Sequence, residues 1–155
     1  MKEVTQHLDG KGGEHLYLHK DFHGALCYAI KYLDETYGYE ITHAYLRHVG
    51  ETVYKPLIFE IKRRGLKALE DHLRRVFTLE GGEFELYWKE DHLQLEVKRC
   101  PAIEHLKRNN LYYTDRFCTS TIVVNETICR QSGCQAHCDV VPGSGRCVQT
   151  FRRMT

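Results

Sequence analysis

At Gly81-Gly82 the spacing of apolar side chains changes. Before that pair they recur every three to four residues, as on a helix with one buried face. After it they alternate, as on a strand with one buried face. Upstream, Phe22, Leu26, Ala29 and Leu33 mark a first helix. Asp21 is its expected N-cap, its carboxylate accepting from free backbone N–H groups, and Gly38 its stop. A second helix is expected from about Glu40 to Arg64, with Pro56 kinking or dividing it and Gly65 ending it. Leu66, Leu69, Leu73, Val76 and Phe77 form the stripe of a third.

Downstream, Phe84, Leu86 and Trp88 alternate with charged and polar residues, and so do Leu93, Leu95 and Val97. This predicts a hairpin with one face buried and one wet. Cys100-Pro101 ends it, and a short helix runs from Ala102 to about Lys107. Asp115 is the expected cap of a last helix reaching about Gln131, stopped by Gly133. A second hairpin follows, from Gln135 to Val141, through Pro142-Gly143-Ser144-Gly145, and from Arg146 to Arg152. Strands in adjacent pairs predict an α+β fold. Its four-stranded antiparallel sheet is made of two hairpins, packed with an N-terminal helical half and a long C-terminal helix. Residues 1–14, polar and glycine-rich, read as a loose arm, and 15–155 as a single domain. The 155 residues suffice for one core of ordinary size.

The 22 basic and 21 acidic side chains nearly cancel, which gives no electrostatic reason to expect a nucleic acid or anionic membrane as partner. No apolar run approaches the roughly 20 residues that cross a bilayer. The first residues lack the apolar stretch of a signal peptide, so a cytoplasmic protein is expected. Thiols there are mostly kept reduced. Seven cysteines is also an odd number, so at least one remains unpaired within the chain.

Those cysteines concentrate in CRQSGCQAHC, from Cys129 to Cys138, with Cys118 upstream and Cys147 downstream. Cys118 and Cys129 are eleven residues apart, about three turns, and share a helix face. Ile122, Asn125 and Glu126 lie along or beside it. Phe117, Thr121, Val124 and Ile128 form a neighbouring stripe suited to the sheet. A buried carboxylate needs a partner, which makes Glu126 hard to explain as packing alone unless it points to solvent. In the last hairpin, a four-residue loop pairs Val140 with Cys147 and puts Cys138 on the same face. Such diagonal neighbours stand roughly 7–8 Å apart, long for a disulfide. Arg146, Arg152, His137 and Asp139 take the opposite face.

Zinc is a candidate ligand of this segment, because Cys134-x3-Cys138 fits one knuckle of a structural site and Cys129 and His137 are close in sequence. His15, His19 and His23 recur at intervals of four. His23 and Cys27 are neighbours on the first helix, and a thiol beside an imidazole is how cysteine nucleophiles are activated. Against each of these stands the cysteine's ordinary role as a small buried hydrophobe.

The series Cys118…Asn125-Glu126…Cys129…Gly145-Arg146-Cys147, closing in an aromatic strand, resembles the end of two related families. One is the L-2-amino-thiazoline-4-carboxylic acid hydrolase-like family, the other the 4-vinyl reductase (V4R) type of small-molecule-binding domain. The chain departs from the pattern at Gln149, where an aromatic residue is usual, and Cys134 and His137 are extra. The resemblance implies a pocket between the last helix, the final hairpin and the N-terminal helices. On the hydrolase branch a C–N or C–S bond of a cyclic amidine or thiazoline is opened. Cys118 or Cys129 would supply a thiolate, or a metal a hydroxide, with Glu126 handling the proton and His23 assisting. On the V4R branch the same pocket holds a small ligand without chemistry, and Cys27, Asn125, Cys138 and Cys147 are its expected contacts. A third expectation is a zinc-stabilised structural domain. The partner is a small molecule in the first two readings, and a homo-oligomer is possible in all.

Overall fold

The computed structural model describes residues 20–154. The expected N-terminal arm, His15 and His19 lie outside them. Helix α1 (Phe22–Tyr37) starts at Asp21, yet the Asp21 carboxylate does not cap it. The side chain turns instead to His105 Nε2, 3.0 Å away. The long second helix is two helices, α2 (Tyr39–Thr52) and α3 (Lys55–Arg64). Pro56 divides rather than kinks them, and sits in the first turn of α3, where a missing N–H leaves no bond unmade. Gly65, at φ +70°, turns the chain from α3 into α4 (Leu66–Glu80). A Cβ there would meet the Arg153 guanidinium at 2.8 Å.

Strands β1 (Glu83–Lys89) and β2 (His92–Arg99) form the first hairpin, followed by α5 (Pro101–Arg108). Helix α6 (Cys118–Gln131) and the hairpin β3 (Cys134–Val141) and β4 (Arg146–Arg153) complete the order. Phe117, not Asp115, stands at the start of α6, without a side-chain cap. A tight turn precedes the helix, and the Thr119 and Ser120 N–H groups already donate to the Arg116 and Phe117 carbonyls at 2.9 and 3.1 Å. Asp115 is therefore left outside the helix.

The fold is α+β. Its one sheet, in the order β1-β2-β4-β3, is antiparallel throughout and joins the two hairpins through their second strands. The register sets three rows across the inner face. Trp88, Leu93, Phe151 and Ala136 form one row, and Leu86, Leu95, Gln149 and Cys138 the next. Phe84, Val97, Cys147 and Val140 form the third. The opposite face carries polar rows such as Tyr87, Gln94, Thr150 and His137. Trp88 is at the sheet edge and 47% exposed. Its indole N–H donates to Glu70 Oε2 at 2.9 Å. That bond, followed by those from Lys67 and Arg74, holds the Glu70 carboxyl below the usual range.

Two apolar clusters hold the molecule. The larger joins α3 and α4 (Ile58, Ile61, Leu69, Leu73) to the inner sheet face and to Ile128 and Cys129 of α6. The smaller joins Cys27 of α1, Ala102, Ile103 and Leu106 of α5, and Phe117. Helices α2 and α6 cross closely at Gly50, where a Cβ would stand 2.9 Å from Thr127 Cβ. Among the described residues no helix is long and apolar enough to cross a membrane.

Candidate functional site

The two clusters do not close on each other. Between them lies a cavity of about 500 Å³, within the roughly 300–1,000 Å³ range of small-molecule sites. Its roof is helical. Leu69, Leu73 and Val76 of α4 and Leu46 and Val49 of α2 line it. Its floor is the inner sheet face at Val97, Cys147 and Gln149. Helix α6 forms one wall with Phe117, Thr121, Val124 and Ile128. This is the stripe expected against the sheet; it reaches the cavity because its 4-3-4 spacing keeps one face turned inward.

Two pairs of polar groups stand in this lining. At one side His23 Nε2 and Glu80 Oε2 share a hydrogen bond of 3.2 Å, both about four-fifths buried. The Phe117 ring stands edge-on to His23, centroids 6.0 Å apart. At the other side Asn125 Nδ2 donates to Gln149 Oε1 at 2.8 Å, and Gln149 Nε2 donates to Cys147 Sγ at 3.3 Å. Gln149 is only 3% exposed. The Gln149 amide is thus held by partners within the wall. His72 also lines the cavity, its ring edge-on to Tyr54. Burial, and then the Arg75 charge, hold the His72 imidazole below its ordinary value.

Three thiols, Cys100, Cys118 and Cys147, come to the lining from β2's end, α6 and β4. Burial pushes the Cys118 thiol up to about 11, with Cys100, Cys147 and Cys27 adding to the effect. Burial likewise raises Cys100 and Cys147. These are protonated, weakly nucleophilic thiols at neutral pH, the opposite of an activated cysteine.

The other expected site residues fall elsewhere. Glu126 is exposed and outside the cavity lining, because it lies on the far side of α6 from Val124 and Ile128. Cys129 is fully buried in the larger apolar cluster, and burial drives its thiol up to about 12. Cys27 is fully buried in the smaller cluster, and burial raises its thiol too. His23 turns to Glu80. Cys138 lies beneath Asn125, its thiol pushed up to about 12 by burial, and does not reach the lining. All seven cysteines are free. Among the described residues no three His, Cys, Asp or Glu side chains are placed to hold a metal ion. The candidates Cys129, Cys134, Cys138 and His137 do not converge: Cys129 and Cys134 are buried, while His137 points outward to Asp139 at 3.0 Å.

Glu80 and His72 were not expected in the site. The signal for Glu80 was present, since it continues the α4 spacing of Leu69, Leu73 and Val76 by one more turn. Nothing in the sequence pairs it with His23, 57 residues away. No family model, curated protein or solved structure matches the chain.

Proposed function

We propose that the chain is a small-molecule-binding module of the V4R-like kind, whose ligand occupies the cavity between helices and sheet. The observation that carries this reading is the cavity itself. It is largely apolar and of ligand size, and two pairs of its polar groups, His23–Glu80 and Asn125–Gln149, are held by each other at its sides. The wall thiols fit the same reading, as soft apolar surface. Titration with the neutral fluorophore N-phenyl-1-naphthylamine tests it. Saturable one-to-one binding is expected. Val124→Trp, which fills the space beside α6, is expected to weaken it at least tenfold while circular dichroism stays unchanged. Absence of saturable binding by the unaltered protein refutes the reading.

The His23–Glu80 pair favours a second reading, a hydrolase of the 2-amino-thiazoline-4-carboxylate type. A histidine held by a carboxylate can serve as general base toward water, a role the raised thiols cannot fill. On this reading the protein opens the thiazoline ring and His23→Gln abolishes turnover. No turnover by the unaltered protein removes it.

A further inference from the structure

A second cleft, of about 410 Å³, opens beside the cavity. Lys98 and Arg99 of β2, Lys107 and Arg108 of α5, and the Ser144-Gly145 turn border it. Among the described residues Glu104 is the only carboxylate in its lining, and it is already engaged by Arg99 Nη1 at 2.5 Å and Arg108 Nη2 at 2.7 Å. Lys98 and Arg99 also pair with Glu85 and Glu83 of β1, which do not border the cleft. Among the described residues Lys107 pairs with no carboxylate; its ammonium donates to the Gly143 carbonyl. Counting Glu83 and Glu85, four cations stand against three carboxylates, and Lys107 is the cation left over. With no carboxylate but Glu104 turned into the cleft among the described residues, the concave face is net positive and attracts an anion.

The cleft and the apolar cavity share three lining residues, Cys100, Ile103 and Gly145. Gly145 has no side chain, and the space where its Cβ would stand is 3.6–3.8 Å from Cys100 and Ile103. The two spaces therefore adjoin at these three residues. Arg146, the next residue, lines the apolar side. Resting on the binding reading above, we propose that the ligand is an anionic amphiphile, its hydrocarbon part in the apolar cavity and its phosphate or carboxylate head in the cleft bordered by Lys98, Arg99, Lys107 and Arg108. An apolar body leaves the polar cleft empty, and a free anion leaves the apolar cavity empty; only a molecule with both parts matches both.

The test is displacement of bound N-phenyl-1-naphthylamine by dodecyl phosphate, below its critical micelle concentration, and by dodecanol, below its solubility limit. Dodecyl phosphate is expected to displace the fluorophore at least tenfold more tightly than dodecanol. Lys98→Gln/Lys107→Gln is expected to erase that difference without changing fluorophore affinity, and Lys98→Arg/Lys107→Arg to keep it. Raising the salt concentration is expected to narrow the gap in the unaltered protein. Equal displacement by the two compounds overturns the proposal while leaving the cavity reading intact; loss of fluorophore binding itself in the unaltered protein overturns both. Two further arms separate other sources of the anion. Inorganic phosphate that binds with the same lysine dependence and leaves dodecyl phosphate affinity unchanged makes the cleft a separate anion site. Phosphatidate-containing phosphatidylcholine vesicles that bind through the two lysines without displacing the fluorophore make it a surface patch. Either result overturns the joined site.

Discussion

Asn125 on α6 donates its amide N–H to the Gln149 carbonyl on β4 at 2.8 Å, tying the wall of the cavity to its floor. Gln149 is nearly without water, so its oxygen depends on that donor. Asn125→Ala is expected to cost about 1–3 kcal/mol, the penalty of a buried acceptor left without a partner. Asn125→Leu combined with Gln149→Leu removes both halves of the bond and is expected to cost less than Asn125→Ala alone. Urea unfolding of the three proteins checks this, and a double variant weaker than the single one contradicts it.

His72 sets an acid limit. Its imidazole is held below the ordinary 6.5 by burial, so the unfolded chain takes up its proton first as pH falls. A depressed folded value contributes stability above 6.5, and that contribution is lost as pH falls from there through the folded value. His72→Gln is expected to flatten the dependence of the urea midpoint on pH between about 6.5 and 5. An unchanged slope would show that His72 does not titrate in that window.

The thiols set an alkaline limit by the opposite sign. Cys129 and Cys138 ionise at about 12 when folded, against an ordinary 9.0. A raised value contributes stability in full below 9.0 and loses it as pH rises toward the folded value. Under a reductant, the urea midpoint is expected to fall between pH 9 and 11, and to fall less steeply in Cys129→Ala than in the unaltered protein. Parallel slopes would count against it.

Gly50→Ala probes the crossing of α2 and α6. A helical glycine replaced by alanine ordinarily gains about 1 kcal/mol. Here the new Cβ meets Thr127 Cβ at 2.9 Å and Cγ2 at 3.0 Å, and overpacking costs about 1–3 kcal/mol. Net destabilisation is expected by thermal and urea unfolding, together with weaker N-phenyl-1-naphthylamine binding as α6 is pushed from its place. A more stable variant would mean that the helices yield without cost.

The fold was legible because each element carries its own period and its own stop. The pairing of Val140 with Cys147 followed from a four-residue loop and alternation alone, and the register agrees. The site was legible only in part. Helical spacing correctly put Cys118 and Asn125 beside each other's face, but it could not say which face α6 would turn inward. Glu126 sits two residues from Val124 and ends on the outside, exposed. Glu80 sits 46 positions before it and ends in the lining. That choice depends on how α2 and α4 close over the sheet, a long-range property with no local signature. The N-cap readings failed for a related reason. Asp21 found a more distant partner in His105, and Asp115 met backbone N–H groups already bonded in a turn.

The sheet order has a consequence for how such a cavity admits anything. Val97, Cys147 and Gln149 belong to β2 and β4, the two strands bonded to neighbours on both sides. Opening the floor would break two ladders at once, whereas parting α1, α2 and α4 breaks only side-chain packing. On the binding reading, a ligand would therefore enter and leave by way of the helices, with the sheet keeping its shape. Amide hydrogen exchange would register this as protection indifferent to ligand at the centre of β2 and β4, around Leu95 and Gln149, with the larger gain on binding in α1, α2 and α4.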